Sequence, residues 1–116
     1  MNSLATLFLL IFGHSMAETA LQPATMEYRK NRRNPIDMSR VPKGQKPINM
    51  WPYFLTHHAI IHGGMVYIAT RRTDLALAET IVHWTIDFYK TGGKFSPHVD
   101  QSLHILCKII YVLILL

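Results

Sequence analysis

Four apolar stretches of this chain each carry two potential metal ligands four residues apart: His14 and Glu18, His58 and His62, His83 and Asp87, Asp100 and His104. On an α-helix that spacing puts both side chains on one face. Four helices with one such face each can aim all of these imidazoles and carboxylates at a common centre. Ionisable groups in apolar segments are costly to bury and are functional candidates by default. The spacing therefore constrains both the fold and the place of its chemistry.

The 116 residues suffice for a single domain, 1–116. Mean hydropathy is +0.12, a low value that averages long apolar segments with a polar stretch from Met26 to Asn49. Cys107 is the single cysteine, which excludes an internal disulfide; in its apolar surroundings it reads as an inert buried thiol. The net charge of +5 raises a nucleic-acid partner. However, Arg29, Lys30, Arg32, Arg33, Arg40, Lys43 and Lys46 cluster between two apolar segments, and no aromatic residue interleaves between Arg32 and Lys46. A stacking platform for single strands needs such aromatics. The tendency of basic loops to remain cytoplasmic explains the same cluster, so nucleic acid is disfavoured.

The hydropathy pattern predicts an all-α, four-helix integral membrane bundle, with helices over about residues 3–27, 50–70, 74–90 and 98–116 and a basic loop over about 28–49. In the first, Leu4 to Phe12 is almost wholly apolar. Ser15-Met16-Ala17 resembles a signal-peptidase site, but no Lys or Arg precedes the apolar run and the cut would separate His14 from Glu18, so a retained helix is expected. Trp51 to Thr70 has no formally charged residue and is long enough to cross a bilayer at about 1.5 Å per residue. Gly63-Gly64 suits close helix packing in lipid. Asp74 to Lys90 is amphipathic, with Glu79, His83 and Asp87 on one stripe, and Thr91-Gly92-Gly93 ends it. In the last segment Lys108 needs either to snorkel or to pair with a carboxylate such as Glu79. With basic loops cytoplasmic and both termini opposite, the four ligand pairs fall at a similar depth.

Imidazole and carboxylate together suit zinc, iron or manganese, and helical bundles hold such ions between facing helices. His14, Glu18, His58, His62, His83, Asp87, Asp100 and His104 are enough for one or two ions. A bound metal supplies hydroxide for hydrolysis, or activates oxygen if it is iron. The competing reading is a polar seam in which the same side chains only hydrogen-bond across helices. A proton or ion pathway is a third, with Glu79 and Lys108 as sparse steps toward the far side. Gln22 reads as a helix-end hydrogen bonder and Gln101 as a neighbour supporting Asp100; Lys30 and Lys90 form a basic rim able to attract an anionic group such as a lipid phosphate. His57 and His98 read as interfacial or solvated. No glycine-rich phosphate loop, nucleophile elbow or CxxC motif occurs.

In order, the chain reads GHSMAETALQPATMEYRK, then HAIIH, HWTIDFYK and DQSLH. This set resembles a family of small bacterial and phage integral membrane proteins, domain of unknown function 3307. Members open with His-x-x-x-Asp followed by Leu-Gln and Lys, then carry His-x-x-x-His, His-x-x-x-Asp with Lys, and Asp-Gln-x-x-His. The resemblance spans nearly the whole chain. Glu18 stands where the family usually has Asp, which keeps the carboxylate but lengthens its reach by a methylene. The resemblance implies a membrane location and no established activity.

The resulting expectation is a small multi-pass protein of a bacterial inner membrane or a host cell membrane. Its metal site would serve a metal-dependent hydrolase acting near the membrane, with membrane lipid and anionic headgroups at the basic loop as partners. The alternative is a non-enzymatic membrane or interaction protein whose His and Asp pairs are structural.

Overall fold

The computed structural model describes residues 2–116, and every regular element among them is helical. Helix α1 is Ser3–Glu18, α2 Ala24–Arg29, α3 Trp51–Thr70, α4 Thr73–Thr91 and α5 Pro97–Leu115, with a short 3₁₀ turn at Met38–Arg40. The ends follow local chemistry. Asn2 accepts from the Ala5 amide at 2.7 Å to open α1, and Ser96 accepts from the Val99 amide at 3.2 Å to open α5. Pro52 and Pro97 occupy first-turn positions, where a missing N–H costs nothing. Arg71 stops α3 in the left-handed region, with φ 58°.

The expected first helix over 3–27 is shorter. It ends at Glu18, and the chain turns before α2 begins. Pro23 explains the break: it lacks an amide to donate back to residue 19, and its ring disfavours helical backbone at Gln22.

Helices α1, α3, α4 and α5 form a closed ring in that order; backbones approach between neighbours, and only side chains meet across the diagonals. Two glycines set the closest approaches. A Cβ on Gly63 would lie 2.0 Å from Thr80 Oγ1 and 2.8 Å from the Ala76 carbonyl oxygen, so only glycine lets α3 meet α4 here. A Cβ on Gly13 would lie 2.9 Å from Met65 Cβ, at the contact of α1 with α3. Gly64, beside Gly63, faces open space; the helix-packing role belongs to the first of the pair alone.

The basic segment folds back over one end of the bundle. Arg32 stacks on the Phe88 ring at 3.9 Å and donates to the Phe88 carbonyl oxygen at 3.0 Å, while Arg29 covers Phe54 at 4.8 Å. Tyr28 donates to the Pro35 carbonyl and Asn34 to the Tyr28 carbonyl, closing a turn.

The distribution of side chains inverts that of a water-soluble bundle. Leu10, Val66, Ala69, Leu75 and Tyr111 form a small apolar cluster at one end. Elsewhere the interior holds His14, His58, His62, His83, His104, Glu79, Asp87, Asp100 and Lys108, while Phe8, Phe12, Ile60, Ile68, Ile81 and Leu113 face outward. Of the described helices, α5 is the one long and apolar enough to cross a membrane; α1 is apolar but shorter. The expected four spanning segments therefore reduce, by length and composition, to a single one.

Candidate metal centre

Each bundle helix turns one polar stripe inward. Glu18 stands at the last turn of α1, His58 and His62 one turn apart in α3, and His83 near the middle of α4. Glu18 Oε1 lies 3.1 Å from His62 Nε2, 3.4 Å from His83 Nε2 and 3.5 Å from His58 Nε2. The four ligand atoms all fall within 4.8 Å of one another. In a tetrahedral complex with bonds of about 2.0–2.2 Å, ligand atoms stand about 3.3–3.6 Å apart. The carboxylate-to-imidazole spacings are thus those of a coordination shell.

Glu18 Oε1 and the Nε2 atoms of His58, His62 and His83 are buried without an aligned hydrogen-bond partner, as are Asp87 Oδ1, Gln22 Oε1 and the Nδ1 atoms of His14, His58 and His83. Burying a polar group unpaired costs about 1–3 kcal/mol, and such groups are rare in folded proteins. Four of them converge here, an arrangement able to hold a cation. His62 and His83 are stacked, with centroids 3.5 Å apart and planes 19° from parallel, which carries both Nε2 atoms to the same carboxylate oxygen.

The surrounding carboxylates, by contrast, are held. Asp87 Oδ2 pairs with Lys30 Nζ at 2.8 Å, and also lies 3.5 Å from His58 Nε2. Asp100 Oδ2 pairs with Lys90 at 3.2 Å and accepts from Gln101 Nε2 at 3.0 Å; its Oδ1 faces His104 Nε2 at 3.1 Å. Gln101 Oε1 meets His14 Nε2 at 3.0 Å. Glu79 pairs with Lys108 and accepts from Tyr111 Oη at 2.7 Å. Glu79, Asp87, Asp100, Glu18 oppose Lys30, Lys90 and Lys108, so with neutral imidazoles the cluster carries one negative charge in excess. Glu18 is the carboxylate without a lysine, and it is the one the three imidazoles face.

All eight residues named from spacing come together, but in unequal roles. Glu18, His58, His62 and His83 converge on one point. His14 is diverted to Gln101, its ring 5.1 Å from that of His104. Asp87, Asp100 and His104 form a neighbouring group. Gln22 donates from Nε2 to the Glu18 carbonyl oxygen at 3.0 Å and so supports the end of α1. His57 and His98 are exposed and lie outside the cluster. Cys107 is half-buried beside the apolar cluster.

Spacing alone left Glu79, Lys108 and Tyr111 outside the candidate set. They form a buried triad behind His83, with Glu79 Oε1 3.6 Å from His83 Nδ1. That separation is too long for a hydrogen bond, and His83 Nδ1 has no partner. The available signal was Glu79 one turn before His83, together with a lysine that needed a partner in apolar sequence.

No family model, curated protein or solved structure matches this chain.

Proposed function

We propose that this protein is a small membrane-embedded metalloprotein that holds a divalent transition metal on Glu18, His58, His62 and His83. The observation that carries the reading is the convergence of three buried imidazole nitrogens on Glu18 Oε1 at 3.1, 3.4 and 3.5 Å, none with an aligned hydrogen bond. Three imidazoles with one carboxylate suit zinc, iron or manganese. With neutral imidazoles, the excess negative charge of the cluster favours a bound cation.

The membrane setting rests on the inverted distribution of side chains and on the apolar length of α5. The ordered motifs resembling domain of unknown function 3307 point the same way. In this reading all four bundle helices span, including α1, α3 and α4, because lipid accommodates their outward apolar faces. The basic segment lies on the cytoplasmic side and meets anionic headgroups, with the metal in the half of the bundle beneath it.

The reaction proposed is hydrolysis of a substrate held near the membrane surface. A bound metal lowers the pKa of its water and supplies hydroxide at neutral pH. Lys90, partly exposed beside Asp100, places a cation where an anionic substrate enters. The three lysine–carboxylate pairs hold the carboxylates that surround this site.

The test is metal content of the purified protein in detergent, with wild type beside His58→Ala and His83→Ala. At least one ion per chain is expected in wild type and a loss in both variants. Stoichiometric metal absent from wild type, with unchanged behaviour of the variants, ends the metalloprotein reading. Hydrolysis of a chromogenic phosphate ester, measured with and without chelator, tests the reaction separately.

A further inference from the structure

A second set of ligands adjoins the first. Asp87, Asp100 and His104 each offer one atom, all within 4.8 Å of one another, and their exposures are 0%, 0% and 1%. Asp87 comes from α4; Asp100 and His104 lie one turn apart on α5. The lysines divide these carboxylates in a consistent way. Lys30 takes Oδ2 of Asp87, and Lys90 with Gln101 takes Oδ2 of Asp100. That leaves Oδ1 of Asp87 buried and without a partner, while Oδ1 of Asp100 is hydrogen-bonded to His104 Nε2 at 3.1 Å, a bond that a bound ion would replace.

A buried carboxylate oxygen without a donor is as costly here as it is around Glu18. It is an observation independent of the clustering itself, and it points to a ligand on the Oδ1 side. In the other grouping in the interior, Glu79 with His83 and His104, Lys108 and Tyr111 engage both Glu79 oxygens, so no carboxylate oxygen is left without a partner.

We propose that Asp87, Asp100 and His104 hold a second divalent cation, next to the first. This rests on the metal reading of the Glu18 site. The two positions differ in kind. Glu18, His58, His62 and His83 supply four ligands, the number that closes a tetrahedral shell. Asp87, Asp100 and His104 supply three, which leaves a position for water or substrate, the pattern of catalytic sites. Two carboxylates and one imidazole suit manganese, iron or zinc. Asp87 Oδ2, held by Lys30, lies 3.5 Å from His58 Nε2 and 3.9 Å from His83 Nε2, so the two positions adjoin.

Two divalent ions turn the excess negative charge of the cluster into a surplus of positive charge. Hydroxide and a phosphate group are the anions that balance it. Phosphate-transferring two-metal sites work on this principle, clamping the attacking and leaving oxygens together. The second ion therefore marks the reacting end of the site, beside the partly exposed Lys90.

The experiment is equilibrium loading of the purified full-length protein in detergent with Mn²⁺, read by metal content and by electron paramagnetic resonance. Wild type is expected to bind two ions per chain and to show a spin-coupled spectrum. Asp100→Asn and His104→Ala, with helical circular dichroism retained, are expected to bind one ion and to show an isolated Mn²⁺ signal. One uncoupled ion in wild type overturns the second position and leaves the first intact, whereas no bound ion overturns the metal reading as a whole. A folded Asp100→Asn protein that loses both ions also overturns the proposal, since the positions would then not be separable.

Discussion

Removing the Lys108 ammonium tests the energetics of the interior most directly. Lys108 is 1% exposed and Glu79 0%, so neither charge reaches water. Lys108→Met keeps the length and apolar stem of the side chain but leaves Glu79 ionised, with the Tyr111 hydroxyl as its one remaining donor of the two. Breaking a buried ion pair by deleting one partner costs about 3–5 kcal/mol, because the surviving charge is uncompensated. Glu79→Gln alone strands the ammonium and falls in the same range. The double variant Lys108→Met/Glu79→Gln removes both charges while the glutamine carbonyl still accepts from Tyr111. It is expected within about 1 kcal/mol of wild type, the size of an ordinary net hydrogen bond. Unfolding in detergent by SDS or guanidinium, followed by far-ultraviolet circular dichroism, measures all four proteins. The reasoning fails if Lys108→Met is as stable as wild type, or if the double variant is no more stable than the weaker single one.

Other outcomes follow from the same coordinates. Gly63→Ala forces its Cβ into Thr80 Oγ1 and the Ala76 carbonyl, and it is expected to cost about 1–3 kcal/mol as overpacking. Adding Thr80→Ala should recover only part of that loss, because the backbone contact remains; full recovery would contradict the close approach of α3 and α4. Tyr111→Phe removes a hydrogen bond to a carboxylate and should destabilise by about 1.5–3 kcal/mol in the same unfolding assay. His57→Ala and His98→Ala should leave metal content unchanged, in contrast to His58→Ala; equal losses from exposed histidines would indicate non-specific binding. Arg32→Ala removes the cation–π contact and the Phe88 carbonyl hydrogen bond, so limited proteolysis should cut the 30–49 segment faster than in wild type.

Metal binding also predicts a dependence on pH. Imidazole ligates only when its ligating nitrogen is unprotonated, so acidification should release the ion and lower stability together. Retention of metal below the range in which histidines protonate would argue against three imidazole ligands.

The one-turn spacing of His14 with Glu18, His58 with His62, His83 with Asp87 and Asp100 with His104 was legible from residue order alone, because helical periodicity converts a spacing of four into a shared face. The same periodicity located the helices, and the lone lysine of the last segment pointed to Glu79. The end of the first helix was less legible. Its apolar run blends into polar sequence without a sharp boundary, and the helix ends at Glu18, before Pro23 is reached.

What residue order could not decide was which of the paired groups share a ligand. Helix rotation, the close contact at Gly63 and the reach of Lys30 from a distant turn sort the eight side chains into four that converge around Glu18, three around Asp87 Oδ1, and one, His14, turned toward Gln101. Periodicity fixes direction around one helix axis. Coordination and hydrogen bonding depend on separations of a few tenths of an ångström between helices, and those distances exist only once the helices have packed.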